Sequence, residues 1–162
     1  PLPFPPTTTT LTTWNNSIIL GHTTGQITLH SSPTTPLCPP LPDNPIPTLL
    51  KPLNPSLILV CYVDGEGEDA TTQARVYDKD WKTVCDFDEC DPCPYFTTTH
   101  TPIFHVSLGG NIAALGCSAS STIQAIKVEN DTVHVLESEE MLETLPSSDD
   151  ESLCAGLCVT DD

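Results

Sequence analysis

Up to Pro42 the chain contains no Asp, Glu, Lys or Arg, although it carries 22 acidic residues in all. Its opening stretch, Pro1 to His30, places four prolines in the first six residues and then runs Thr7–Thr13 as threonines broken only by Leu11. Proline fixes φ and removes an amide donor, so a helix is excluded there. β-Branched threonines favour an extended backbone. Leu2, Phe4, Leu11, Trp14, Ile18 and Ile19 are spaced along this arm. An uncharged, extended segment with apolar anchors is a strand that needs a sheet edge, and the rest of the chain has to supply one.

The remainder reads as strands and turns. Ser17–Leu20 and Gln26–His30 bracket Gly21-His22-Thr23-Thr24-Gly25, a hairpin pattern. Residues Ser31 to Pro55 hold nine of the 17 prolines, a density that predicts a stiff polyproline-II connector without regular strands. Its Leu37, Leu41, Ile46, Leu49, Leu50 and Leu53 predict a strap across the domain rather than a free linker. Ser56–Val63, SLILVCYV, is unbroken and apolar, as a central strand buried on both faces would be. Alternation over Ala70–Tyr77, Trp81–Cys85, Phe104–Leu108, Ile112–Cys117, Thr122–Val128 and Thr132–Leu136 predicts further short strands. The one helix pattern is Ser138–Leu145, closed by Pro146. No internal repeat is evident.

Six to eight such strands at roughly ten-residue spacing predict an all-β fold, specifically an immunoglobulin-like antiparallel β-sandwich stabilised by disulfides. The expected division is an arm over residues 1–30 with a candidate donor strand, a Pro-rich connector over 31–55, and a β-sandwich over 56–162 with an acidic tail.

A net charge of −17 excludes nucleic acid as a partner, since phosphate binding needs clustered Lys and Arg. Anionic membrane surfaces are disfavoured for the same reason, and no apolar run reaches the ~18 residues of a spanning helix. Eight cysteines, Cys38, Cys61, Cys85, Cys90, Cys93, Cys117, Cys154 and Cys158, form an even set in a Thr/Pro-rich chain that begins at Pro1 rather than Met. This pattern predicts a processed leader, disulfides and a secreted, extracellular location. Cys61 with Cys117 is the favoured pair because both fall in predicted core strands. Cys90-Asp-Pro-Cys93 with Cys154 and Cys158 offers zinc as the alternative. Asn15 and Asn130 head N-glycosylation sequons, and Thr7, Thr8, Thr9 and Thr10 suit O-linked sugar.

Catalytic motifs do not emerge: there is no nucleophile elbow, no HExxH helix and no phosphate-cradling glycine loop. His22, His30, His100, His105 and His134 are scattered. No cofactor is expected. Asp64, Glu66, Glu68 and Asp69 would suit calcium only in a non-EF site, because Arg75 stands at the twelfth position of an EF register.

In organisation, the arm Thr7–Trp14 with Ser17–Leu20 ahead of a β domain resembles the subunits of extracellular fibres assembled by donor-strand exchange. The resemblance implies a non-enzymatic structural subunit whose partners are copies of itself. In such a subunit Leu11, Trp14, Ile18, Ile19 and Leu20 would insert into a neighbour by strand addition. The alternative is a monomeric secreted binding or adhesion module, inhibitor-like or effector-like, with the arm folded back on its own domain. A small enzyme ranks below both.

Overall fold

Turn residues that tolerate a left-handed backbone divide the chain into hairpins. Asn15 and Asn16 (φ 49° and 59°), Gly25 (78°), Gly110 (52°) and Asn130 (54°) each sit between paired or successive strands. The computed structural model describes residues 4–65, 71–87, 104–117 and 123–136. Within them lie β1 (Thr8–Trp14), β2 (Ser17–His22), β3 (Ile27–Leu29) and β4 (Ser32–Pro36) of a first sheet. A second sheet holds β5 (Ile46–Pro52), β6 (Leu57–Asp64), β7 (Thr71–Asp78) and β8 (Thr83–Phe87). The third holds β9 (Phe104–Gly109), β10 (Ile112–Cys117), β11 (Ile123–Glu129) and β12 (Thr132–Leu136). All pairing is antiparallel and follows chain order.

The second sheet is the middle layer. Along β6, Leu57, Leu59, Cys61 and Val63 pack with Ala113, Leu115 and Ile126 of the third sheet. The alternate residues Ile58, Val60 and Tyr62 pack with Trp14, Ile19 and Ile27 of the first. A strand covered on both faces can be apolar at every position, which accounts for SLILVCYV. Like strand lies against like strand between layers: β1 against β5, β5 against β9, and β8 against β12. β2 also lies against β5, and Gly21 of β2 permits that approach, because a Cβ there would fall 2.8 Å from both Pro47 and Thr10 side chains.

The described residues are all-β as expected, but their strands form three layers rather than the two of an immunoglobulin-like sandwich. An immunoglobulin sandwich also needs Greek-key crossovers, and each of these sheets is a simple meander. The connector likewise differs from expectation, since β4 and β5 lie within it. Both are edge strands, the position at which a sheet accepts proline. Equivalent second strands begin at residues 17, 57 and 112, so unequal loop lengths conceal the threefold structural repeat from sequence comparison. The helix pattern at Ser138–Leu145 lies outside the described residues. Among the described residues no helix is long and apolar enough to cross a membrane.

Candidate functional site

The arm spends its bonding capacity within its own chain. β1 pairs with β2 from Thr8↔His22 to Trp14↔Ser17, with an irregularity at Thr9 whose hydroxyl donates to the Pro47 carbonyl at 2.6 Å. Of the expected assembly residues, Trp14, Ile19 and Leu20 are buried, whereas Ile18 is half-buried and Leu11 is 49% exposed. Trp14 and Ile19 face the middle sheet. Leu11, Ile18 and Leu20 share the opposite face, as the pairs Leu11↔Leu20 and Thr13↔Ile18 require.

Three of the threonines considered for O-linked sugar have engaged hydroxyls. Besides Thr9, Thr8 donates to the Pro5 carbonyl, and Thr7 Oγ1 lies 3.1 Å from His22 Nδ1. Thr10 is half-buried and lies beside Gly21. His22 is buried, and its Nε2 lies 2.8 Å from the hydroxyl of buried Thr28. Burial pushes its pKa below the ordinary histidine value. The folded state therefore holds fewer protons at this site than the unfolded chain, and stability falls as pH drops below about 6.5. Thermal unfolding should shift to lower temperature between about pH 7 and pH 5.5, and His22→Gln should flatten that part of the profile.

The turns between first and second strands and between third and fourth strands meet at one end of the stack, and Asn54 ties them together. Its Oδ1 accepts the Ser56 and Leu57 amides at 2.7 and 2.8 Å. Its Nδ2 donates to the Asn130 carbonyl of the third sheet at 2.8 Å, and its own carbonyl accepts Trp14 Nε1 of the first at 2.9 Å. Asn15 adds a bond to the Pro55 carbonyl. Trp81, on the β7–β8 turn with φ 59°, packs its ring against Trp14 and Tyr77 at centroid distances of 5.9 and 5.7 Å. Beside this girdle is a cavity of about 150 Å³ lined by Ser56, Asp78, Lys79, Val84 and Asp131. Asp78 Oδ1 accepts the Asp80 and Lys82 amides and so fixes one wall. Lys127 and Glu129 form an ion pair on the β11 side, which lowers the Glu129 pKa through their hydrogen bond.

A second polar group lies between the first and second layers. The Tyr62 and Tyr77 hydroxyls are 2.9 Å apart, and burial pushes both phenols well above their ordinary range. Arg75 Nε reaches Asp86 at 2.9 Å. Burial also raises the thiols of Cys38 and Cys85, the opposite of what a reactive thiolate requires. No disulfide joins Cys38, Cys61 and Cys85 to one another. Cys61 is buried among the apolar residues between layers two and three, and the side chain of Cys117, its expected partner, lies outside the described residues. Cys90, Cys93, Cys154 and Cys158 lie outside the described residues, as do Glu66, Glu68 and Asp69 of the candidate calcium loop. Among the described residues no group of three or more His, Cys, Asp or Glu side chains is placed to hold a metal ion.

Sequence reasoning missed Asn54, Trp81 and the tyrosine pair. Asn54-Pro55-Ser56 registers in the sequence only as a sequon spoiled by proline, although Asn before Pro is also a turn signal. Comparison with protein-family models, curated proteins and solved structures returns no match.

Proposed function

We propose that the chain is a non-catalytic interaction module that closes on itself, the binding-module reading in preference to the strand-exchanging fibre subunit. The observation that carries this is the placement of the arm. β1 is bonded to β2 and rests against β5, with Trp14 and Ile19 inside the stack. A strand whose anchors fill its own core has little apolar surface to lend a neighbour.

Successive meanders stacked strand over strand are the local geometry of repeat β folds, in which each sheet covers the next. Such a stack is a rigid platform, and its cross-tied turns hold side chains in place for a partner. Extracellular location and sugar on the exposed Asn130 turn belong to this reading as further proposals. Asn15 is the poorer acceptor, because its amide already bonds to the Pro55 carbonyl. Light scattering across a hundredfold range of concentration tests the module. The expected mass is that of one 17.4 kDa polypeptide plus any attached sugar throughout, and polymers growing with concentration would return the fibre reading.

A further inference from the structure

We propose that β12 is a docking edge at which an extended, cationic segment of a partner protein adds as a fifth strand to the third sheet. The inference deepens the interaction-module reading and rests on it. An open strand edge offers unpaired N–H and C=O groups, and folded proteins usually blunt such edges with proline, charge or irregular pairing. The three fourth strands, each at the edge of its sheet, differ in this respect. β4 carries Pro33 and Pro36, and its register with β3 shifts. β8 carries Asp86, ion-paired with Arg75, and its register shifts between Val76 and Tyr77. β12 reads TVHVL, has no proline or carboxylate, and pairs with β11 in unbroken register. Among the described residues it is the fourth strand without such protection.

The backbone of this edge points the right way. Val128 donates its amide to the Asn111 carbonyl, on the β10 side. The pair Val128↔Val133 is therefore non-hydrogen-bonded, and alternation turns the N–H and C=O of Val133 and Val135 outward from β11. The side chains continue the core. Val135, 53% exposed, stands on the face shared by Ile126 and Val128, both packed into the interlayer core. Val84 of neighbouring β8 is 37% exposed and lines the cavity at the turn end. An added strand with alternating apolar residues would cover this step.

Charge selects the partner. The cavity sets Asp78 and Asp131 against the single ammonium of Lys79, in a chain of net charge −17. A basic residue at the end of the added strand meets complementary charge there. A second copy of the chain would bring its own −17 and be repelled.

The test is fluorescence anisotropy with the full chain and two short labelled peptides of alternating valine and threonine, one ending in two lysines and the other in two glutamates. Val135→Pro removes an outward amide without touching the β11 ladder, and Val135→Lys places a charge on the edge. The basic peptide should bind at least about tenfold more tightly than the acidic one, weaken with salt, and lose about tenfold or more in both variants while their unfolding temperatures hold. Equal binding by the variants, or no preference for the basic peptide, would overturn the proposal. So would dimers of the free chain that Val135→Pro dissolves, which would make a second copy the occupant. Polymers without peptide that ignore Val135→Pro would instead count against the self-contained module beneath it.

Discussion

Removing residues 1–30 should leave a chain that no longer folds, rather than a stable domain lacking an assembly arm. The deleted stretch supplies β1, β2 and β3, and with them Trp14, Ile19, Leu20 and Ile27, all buried. At ~1.5–3 kcal/mol for each side chain, their burial contributes about 6–12 kcal/mol before ordering costs. The whole stability of a domain is typically about 5–15 kcal/mol. The deletion also uncovers Leu50, Ile58, Val60, Tyr62 and Tyr77 on the middle sheet, and removes β3, the strand with which β4 pairs. Circular dichroism of the truncated chain should show no cooperative thermal transition. A sharp transition near that of the full chain would mean that the arm is dispensable to the fold.

The second large effect is expected at Asn54. Asn54→Ala deletes three side-chain hydrogen bonds, to the Ser56 and Leu57 amides and from Nδ2 to the Asn130 carbonyl. At roughly 1 kcal/mol each, the loss is about 3 kcal/mol. The effect extends beyond the local turn, because the same residue holds the Trp14 indole through its backbone carbonyl and the third sheet through its amide. Hydrogen exchange should therefore speed up in the β1–β2 and β11–β12 turns together. Asn54→Asp keeps the two acceptor bonds and loses only the link to Asn130, so it should cost less and loosen the third sheet alone. Chemical denaturation of the two variants separates these outcomes, and equal midpoints for Asn54→Ala and the parent chain would remove Asn54 as the tie.

Much of the fold was legible locally. The unbroken apolar run of β6 identified a central strand because a strand covered on both faces has no polar side to display. The β11–β12 hairpin was equally clear, since Glu129-Asn130-Asp131 interrupts two alternating segments and Asn130 adopts the left-handed backbone that the turn needs. Proline density in the connector does not exclude strands, contrary to the sequence expectation. Pro33, Pro36, Pro47 and Pro52 all lie in edge strands, where a missing amide costs no interior ladder bond. The layering was not legible, since alternation shows that a strand has a buried face without showing which sheet covers it. Trp81 and Asn54 escaped notice for a related reason: their partners lie in other layers, far away in sequence.

The central claim, that the arm closes within its own chain, is tested most directly by the contact between Trp14 and Trp81, whose ring centroids lie 5.9 Å apart across the first and second sheets. In an equimolar mixture of isotope-labelled and unlabelled chain, an isotope-filtered nuclear Overhauser experiment separates contacts within a chain from contacts between chains. A Trp14–Trp81 cross-peak is expected within the labelled chain and none between labelled and unlabelled chains. A cross-peak between chains would contradict the claim and place the arm in a neighbour.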